Sequence, residues 1–180
     1  SAMLVFADSE NLKQYKADVK FESDLFGTTL LCNVASGQHI EPGNLTEIGF
    51  QSYLDHQLHC GQLFFGLDYT EENNPLELNL ERALHFDKGC YPGQETIATI
   101  SNLGHPSKKF VLVDSDQELE SEELKTGEGK TAGKIMRLES SKKKAIAWVK
   151  WSFRKPGTQL ITASNATCTV SKECEQPSKE

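Results

Sequence analysis

A chain of 180 residues that is 37% hydrophobic and 25% charged has the composition of an ordinary globular protein, with length for one good core or for one domain and a small second one. A net charge of −7 argues against indiscriminate nucleic-acid binding. No apolar run approaches the ~20 residues that span a bilayer, and no stretch at the N-terminus has the layout of a signal peptide.

The first 35 residues are mixed in pattern. Ser1-Ala2 ahead of Met3 reads as the remnant of a cleaved tag. Asp8 to Lys16 is compatible with a short helix, and Leu30 to Val34 with a buried strand. Turns follow at Ser36-Gly37 and Glu41-Pro42-Gly43. Asn44 or Thr46 then caps the best helix of the chain, because Ile48, Tyr53, Leu54 and Leu58 recur at helical spacing. His56 and His59 lie three apart on it, with no third ligand at a matching spacing, so no metal is expected there. Gly61 to Tyr69 turns out of that helix, and the Phe64-Phe65 pair is assigned to the core. Asn79 to Leu84 reads as a short helical turn, with Arg82 on the surface pairing with Glu81 or Asp87.

Residues 88–95, Lys-Gly-Cys-Tyr-Pro-Gly-Gln-Glu, have a different character. Gly89 and Gly93 permit positive φ or close approach of another group, and Pro92 fixes its own φ. Helix-compatible residues begin at Gly93, and Glu95 falls in the first turn, where a carboxylate suits the helix dipole. That places Cys90 just ahead of a positive helix end with Lys88 nearby, an environment that favours thiolate, the nucleophilic and metal-binding form. The alternative is a buried, inert packing cysteine, the commoner fate of a free thiol.

Past Pro106 the chain changes in kind. Residues 1–107 hold 5 Lys/Arg against 15 Asp/Glu, whereas residues 108–180 hold 14 against 11. Short apolar runs at Phe110–Val113, Gly133–Leu138, Ala145–Val149, Gln159–Thr162 and Thr167–Val170 alternate with turns, the pattern of a compact β-barrel. Lys142-Lys143-Lys144 after Ser140-Ser141 reads as a solvated hairpin turn, and Trp148 and Trp151 as core and rim. The expected organisation is a domain over 3–105, a barrel over 106–172 and a mobile tail over 173–180. The five cysteines, Cys32, Cys60, Cys90, Cys168 and Cys174, are odd in number and scattered without a C-x-x-C pair. They therefore suggest neither a disulfide framework nor a four-cysteine zinc site, and fit a reducing compartment.

The unbroken string Lys88-Gly89-Cys90-Tyr91-Pro92-Gly93-Gln94-Glu95 resembles the signature of the YgfZ/GcvT family, folate-binding proteins related to the glycine cleavage T-protein. The cysteine marks the branch that assists iron-sulfur cluster assembly. Asn74 to Leu80, Gly61 to Asp68, and Asn102-Leu103-Gly104 with Lys108-Lys109 resemble flanking family segments, so the resemblance covers about residues 45–170. It implies an α+β chain, a partial GcvT-like α/β domain followed by a small C-terminal antiparallel β-barrel, corresponding to the back half of a longer protein. Two departures stand out: no arginine occupies the place of Gln57, where the T-protein branch has one ahead of the glycine matching Gly61, and Thr99 stands where many members carry arginine.

The resemblance implies a folate-dependent accessory protein for iron-sulfur cluster assembly or repair, a maturation factor with a transferase-derived fold instead of an independent enzyme. Cys90 would be the reactive group and Lys88 would bias its ionisation, with Gly89, Tyr91 and Gly93 shaping the turn and Gln94 and Glu95 anchoring it. Tetrahydrofolate is the implied cofactor. Iron-sulfur assembly proteins or cluster-containing client enzymes are the implied partners, with neither nucleic acid nor membrane. The implied location is intracellular, in the mitochondrial matrix if eukaryotic or the cytoplasm if bacterial. The competing expectation is a tetrahydrofolate-dependent aminomethyltransferase, which needs no nucleophilic cysteine. A third is a module that docks a partner through its barrel and turn.

Overall fold

The computed structural model describes residues 2–7, 19–23, 27–33, 49–81, 84–85, 89–120 and 123–174. The chain divides into two compact units, Ser1–Gly49 with Pro177–Glu180, and Phe50–Gln176. The first unit contains strands β1 (Ala2–Ala7), β2 (Val19–Ser23) and β3 (Gly27–Asn33), an antiparallel sheet ordered β1-β3-β2. The strand expected at Leu30 thus starts earlier, at Gly27. The helix expected over Asp8–Lys16 and the caps at Asn44 and Thr46 lie outside the described residues.

In the second unit, six antiparallel strands close into a barrel in the order β4-β7-β6-β5-β8-β9. They are β4 (Lys108–Asp114), β5 (Glu123–Lys125), β6 (Thr131–Leu138), β7 (Lys144–Lys150), β8 (Gln159–Thr162) and β9 (Thr167–Glu173). Closure removes the unpaired edges that an open sheet would present. Together with two helices this makes an α+β unit. The interior is filled by Val111, Val113, Leu124, Ile135, Val149 and Leu160 with smaller neighbours. Burying each such side chain stabilises the fold by roughly 1.5–3 kcal/mol.

Both faces of β4 and β7 are covered, which explains their continuous apolar runs. Phe110, Leu112 and Ile146 point outward into a second cluster with Leu58, Leu63, Leu78 and Cys174. Leu58 comes from α1 (Phe50–Cys60), the helix expected around Tyr53, Leu54 and Leu58. It ends where Gly61 takes a φ of 74°. The Gly61 N–H then bonds the Leu58 carbonyl and the Gln62 N–H the Gln57 carbonyl, both at 2.8 Å, a Schellman cap that a residue with a Cβ would strain.

Several expectations are corrected. Phe65 is 57% exposed and Phe64 only half-buried; Phe65 packs edge-on against Tyr69 across a turn and is not core. A 3-10 turn that was not expected spans Pro75–Leu78, with Asn79, at φ 55°, ending it; within the turn expected over Asn79–Leu84, Glu81 is helical and its carbonyl accepts from the Leu84 N–H at 3.1 Å. Strand β5 was not anticipated, because Leu124 is its single buried residue. Of the tail expected over 173–180, the two described residues are held in place: Glu173 closes β9, and Cys174 is fully buried, with its N–H on the Phe110 carbonyl at 2.9 Å. Its small thiol fills the outer cluster, so the strand is held to its end. Trp148 packs on that outer cluster and not in the barrel interior.

Candidate functional site: the cysteine turn and the buried ion pair

The signature forms a turn that opens a helix. α2 runs Gln94–Asn102, with Gly93 as N-cap at φ 85°, ψ −2° and no side chain capping the helix. The left-handed conformation explains why glycine stands there. The Gln94 N–H reaches back to the Tyr91 carbonyl at 3.2 Å, and the Ile97 N–H to that of Gly93 at 3.1 Å. Gly89 and Cys90 are exposed, Tyr91 and Gln94 half-buried, and Glu95 exposed in the first turn. The phenol oxygen of Tyr91 is shielded from solvent and has no hydrogen-bond partner among the described residues. Thr99 donates its hydroxyl to the Glu95 carbonyl at 2.8 Å. Lys88 lies outside the described residues, so its expected proximity to the sulfur is not part of this geometry.

The other described thiols contrast with Cys90. Burial pushes Cys168 up from 9.0 to about 11, and burial also drives Cys174 strongly upward. Cys168 faces the barrel interior and Cys174 the outer cluster. They do not share a face, because the register of β9 against β4 shifts between Val170 and Lys172, a bulge that breaks the alternation of faces. Cys60 is half-buried, 3.9 Å from Nε2 of His56, while His59 pairs with Glu139. Among the described residues no group of three His, Cys, Asp or Glu side chains could hold a metal ion, and no helix is long and apolar enough to cross a membrane.

A second polar centre escaped the sequence reading. Strand β6 carries a bulge between Ile135 and Arg137, so that Ile135 pairs with Ala147 but Arg137 with Ile146. Arg137 is thereby turned from the barrel interior to its outer face. There its Nε and Nη2 grip Asp68 at 3.0 and 2.9 Å. Nη1 and Nη2 also donate to the carbonyls of Leu54 (3.0 Å) and Gln62 (2.9 Å). Burial pushes the Asp68 carboxyl above its ordinary value, against the pull of Arg137 and of the Phe64 N–H at 2.6 Å. Arg137 is 8% exposed and Asp68 1%. One side chain thus fastens α1 and the Gly61–Asp68 turn to the barrel. A lone arginine inside an apolar strand was the available signal.

Two amide atoms, Gln57 Oε1 and Gln62 Nε2, are buried without partners among the described residues. The β6-β7 hairpin adds a further tie to α1: the Ser140 N–H bonds Asp55, which also accepts from the Gln51 amide one turn back in the same helix. Partial burial opposes ionisation of Asp55, but these hydrogen bonds outweigh it and hold the carboxyl below its usual range. Lys143 and Lys144 of the expected basic turn line an open polar cleft of about 720 Å³ with Asp114, Gln117 and Thr167. Its groups are largely bonded to one another, as in the Lys144–Asp114 pair and the Thr167 N–H to Gln117.

No family model matches this chain, and no curated protein does. Among solved structures it is similar to the glycine cleavage system aminomethyltransferase T from Bartonella henselae, with a TM-score of 0.56 and 18% identity. The match covers 69% of this chain and 39% of that one. The likeness defines a T-protein-like fold for the matched part. The chain spans well under half the length of that relative.

Proposed function

We propose that this chain acts as an accessory factor in the assembly or repair of iron-sulfur clusters, with Cys90 as the working thiol. The carrying observation is placement: an exposed sulfur stands on the turn that opens α2, whereas Cys168 and Cys174 are sealed in apolar surroundings. Such a thiol can ligate iron transiently, or attack a client's disulfide so that a mixed disulfide forms as one client sulfur leaves as thiolate. Gly89 and Gly93 give the turn its shape, and the helix start after Gly93 fixes its direction. Partners would be assembly proteins or cluster-containing enzymes, in the mitochondrial matrix or the bacterial cytoplasm.

Tetrahydrofolate belongs to the proposal through the T-protein-like fold. The described residues meet it only in part. They offer an orphaned acceptor on Gln57 and an orphaned donor on Gln62, groups of the kind a pterin edge pairs with. Arg137 is committed to Asp68, and no step is assigned to the folate. The second reading, an aminomethyltransferase, is favoured by the likeness to that enzyme.

Replacing the wild-type chain in cells by Cys90→Ala separates the two. A cluster factor loses the activity of iron-sulfur enzymes while its own abundance holds; a transferase keeps its turnover. Calorimetry with tetrahydrofolate on the wild-type chain tests the ligand, and absence of heat removes it from the proposal.

A further inference from the structure

The segment that carries Cys90 has little hold of its own. Among its described residues from Leu84 to Gly104, Ile97 is the single fully buried side chain, and Leu103 is 74% exposed. Its position must therefore be set largely at its ends, and both ends lead to one indole. Trp151 opens a 3-10 turn, Trp151–Phe153, directly after β7. Its backbone N–H bonds the Ser107 carbonyl at 2.9 Å.

Downstream of the segment, the His105 imidazole stacks on the Trp151 ring with centroids 4.6 Å apart and planes 5° from parallel. The Arg154 guanidinium lies 3.5 Å from the same ring centroid. Two flat groups that close cannot share a face, so the indole is sandwiched. Arg154 is itself anchored, 3.1 Å from Glu173 on β9 and 3.0 Å from the Trp151 carbonyl. The ring is consequently fixed from the barrel side.

Upstream, Asn79 and Glu81 are both gripped by the buried Lys109, the latter at 3.1 Å. The Lys109 ammonium lies 5.9 Å from the Trp151 centroid, at the limit of cation–π attraction. Asn79 donates in turn to the Cys174 carbonyl at 2.6 Å. The entry and the exit of the cysteine segment are thus fastened to the barrel around a single aromatic ring.

We infer that Trp151 and His105 are positioning residues for Cys90: the stacked indole sets where the signature turn stands on the barrel. This rests on the reading of Cys90 as the working thiol, and deepens it by naming what aims the sulfur. Neither ring touches the cysteine; each acts through the backbone of α2 and its flanks.

The test uses the full chain with His105→Ala, His105→Phe, Trp151→Ala and Trp151→Phe. An aromatic contact of this kind corresponds to about a threefold to tenfold change in a local opening equilibrium. Amide exchange in residues 94–104 should rise by that factor in both alanine variants and return towards wild type in both phenylalanine variants. Exchange in β6 and β7 should stay level in His105→Ala, which reports even if Trp151→Ala unfolds the barrel. Wild-type exchange in α2 of His105→Ala overturns the inference. In cells, His105→Ala should lower iron-sulfur enzyme activity, with recovery in His105→Phe. Faster α2 exchange with a dispensable Cys90 would uphold the positioning role and reject the functional reading; unchanged α2 exchange with an essential Cys90 would do the reverse.

Discussion

The barrel and the cysteine segment are neighbours in one compact unit and are built on opposite terms. In β4 and β7 nearly every side chain is buried on one face or the other, so stability is spread over many contacts. Between Gly89 and Gly104 the side chains mostly face water, and the backbone is shaped by glycines with positive φ at 93 and 104. The difference teaches where substitutions act. Barrel changes should alter stability, and changes in the segment should alter chemistry while leaving stability near its original value.

Arg137→Ala offers the largest test, because it leaves Asp68 buried without its partner and should cost about 3–5 kcal/mol in urea unfolding. The double variant Arg137→Met with Asp68→Leu should recover most of that loss, since matched apolar groups need no desolvated charge. Failure of the double variant to recover would show that the carbonyl bonds to Leu54 and Gln62 matter more than the ion pair.

Gly133→Ala comes next. A Cβ there would run into the Trp148 carbonyl and sit 2.9 Å from the Val149 Cα, backbone positions that no rotamer can relieve. A loss of about 1–3 kcal/mol is expected, and an unchanged melting temperature would mean that β6 and β7 can part without penalty.

Cys168 gives a pH signature of the sealed interior. Its thiol titrates near 11 in the folded chain against 9.0 ordinarily. Between those values the unfolded state has released a proton that the folded state retains, so stability falls as pH rises, by about 2–3 kcal/mol in total. Cys174, also raised by burial, adds to the same slope. Cys168→Val should flatten the curve between pH 9 and 11, and an unaltered slope would argue that Cys168 is not sealed.

The smallest stability effect belongs to Cys90→Ala, within about 0.5 kcal/mol, as for an exposed position without structural partners. In the wild-type protein at neutral pH, iodoacetamide should reach Cys90 well before Cys168 or Cys174. Equal sluggishness at all three would erase the contrast between the two regions.

Local patterns carried much of this fold. Apolar runs located β4, β6, β7, β8 and the start of β9, helical spacing located α1, and Gly93 marked the start of α2, because strand, helix and turn preferences are written in a few neighbouring residues. Strand β5 was invisible for the same reason: three residues with one buried leucine have no period. The cysteine turn was legible because Gly89, Pro92 and Gly93 fall within five residues, whereas the exposure of its sulfur was not.

What the sequence determined by itself was therefore most strands of the barrel, both helices and the turn that presents Cys90, while β1, β2 and β5 went unread. Tertiary structure decided the rest. The bulge that sends Arg137 outward to Asp68, the burial of Cys174, and the gathering of His105 and Lys109 around Trp151 join residues tens of positions apart. Such partners meet only when the barrel closes, and no local preference records which face of a strand another element will cover.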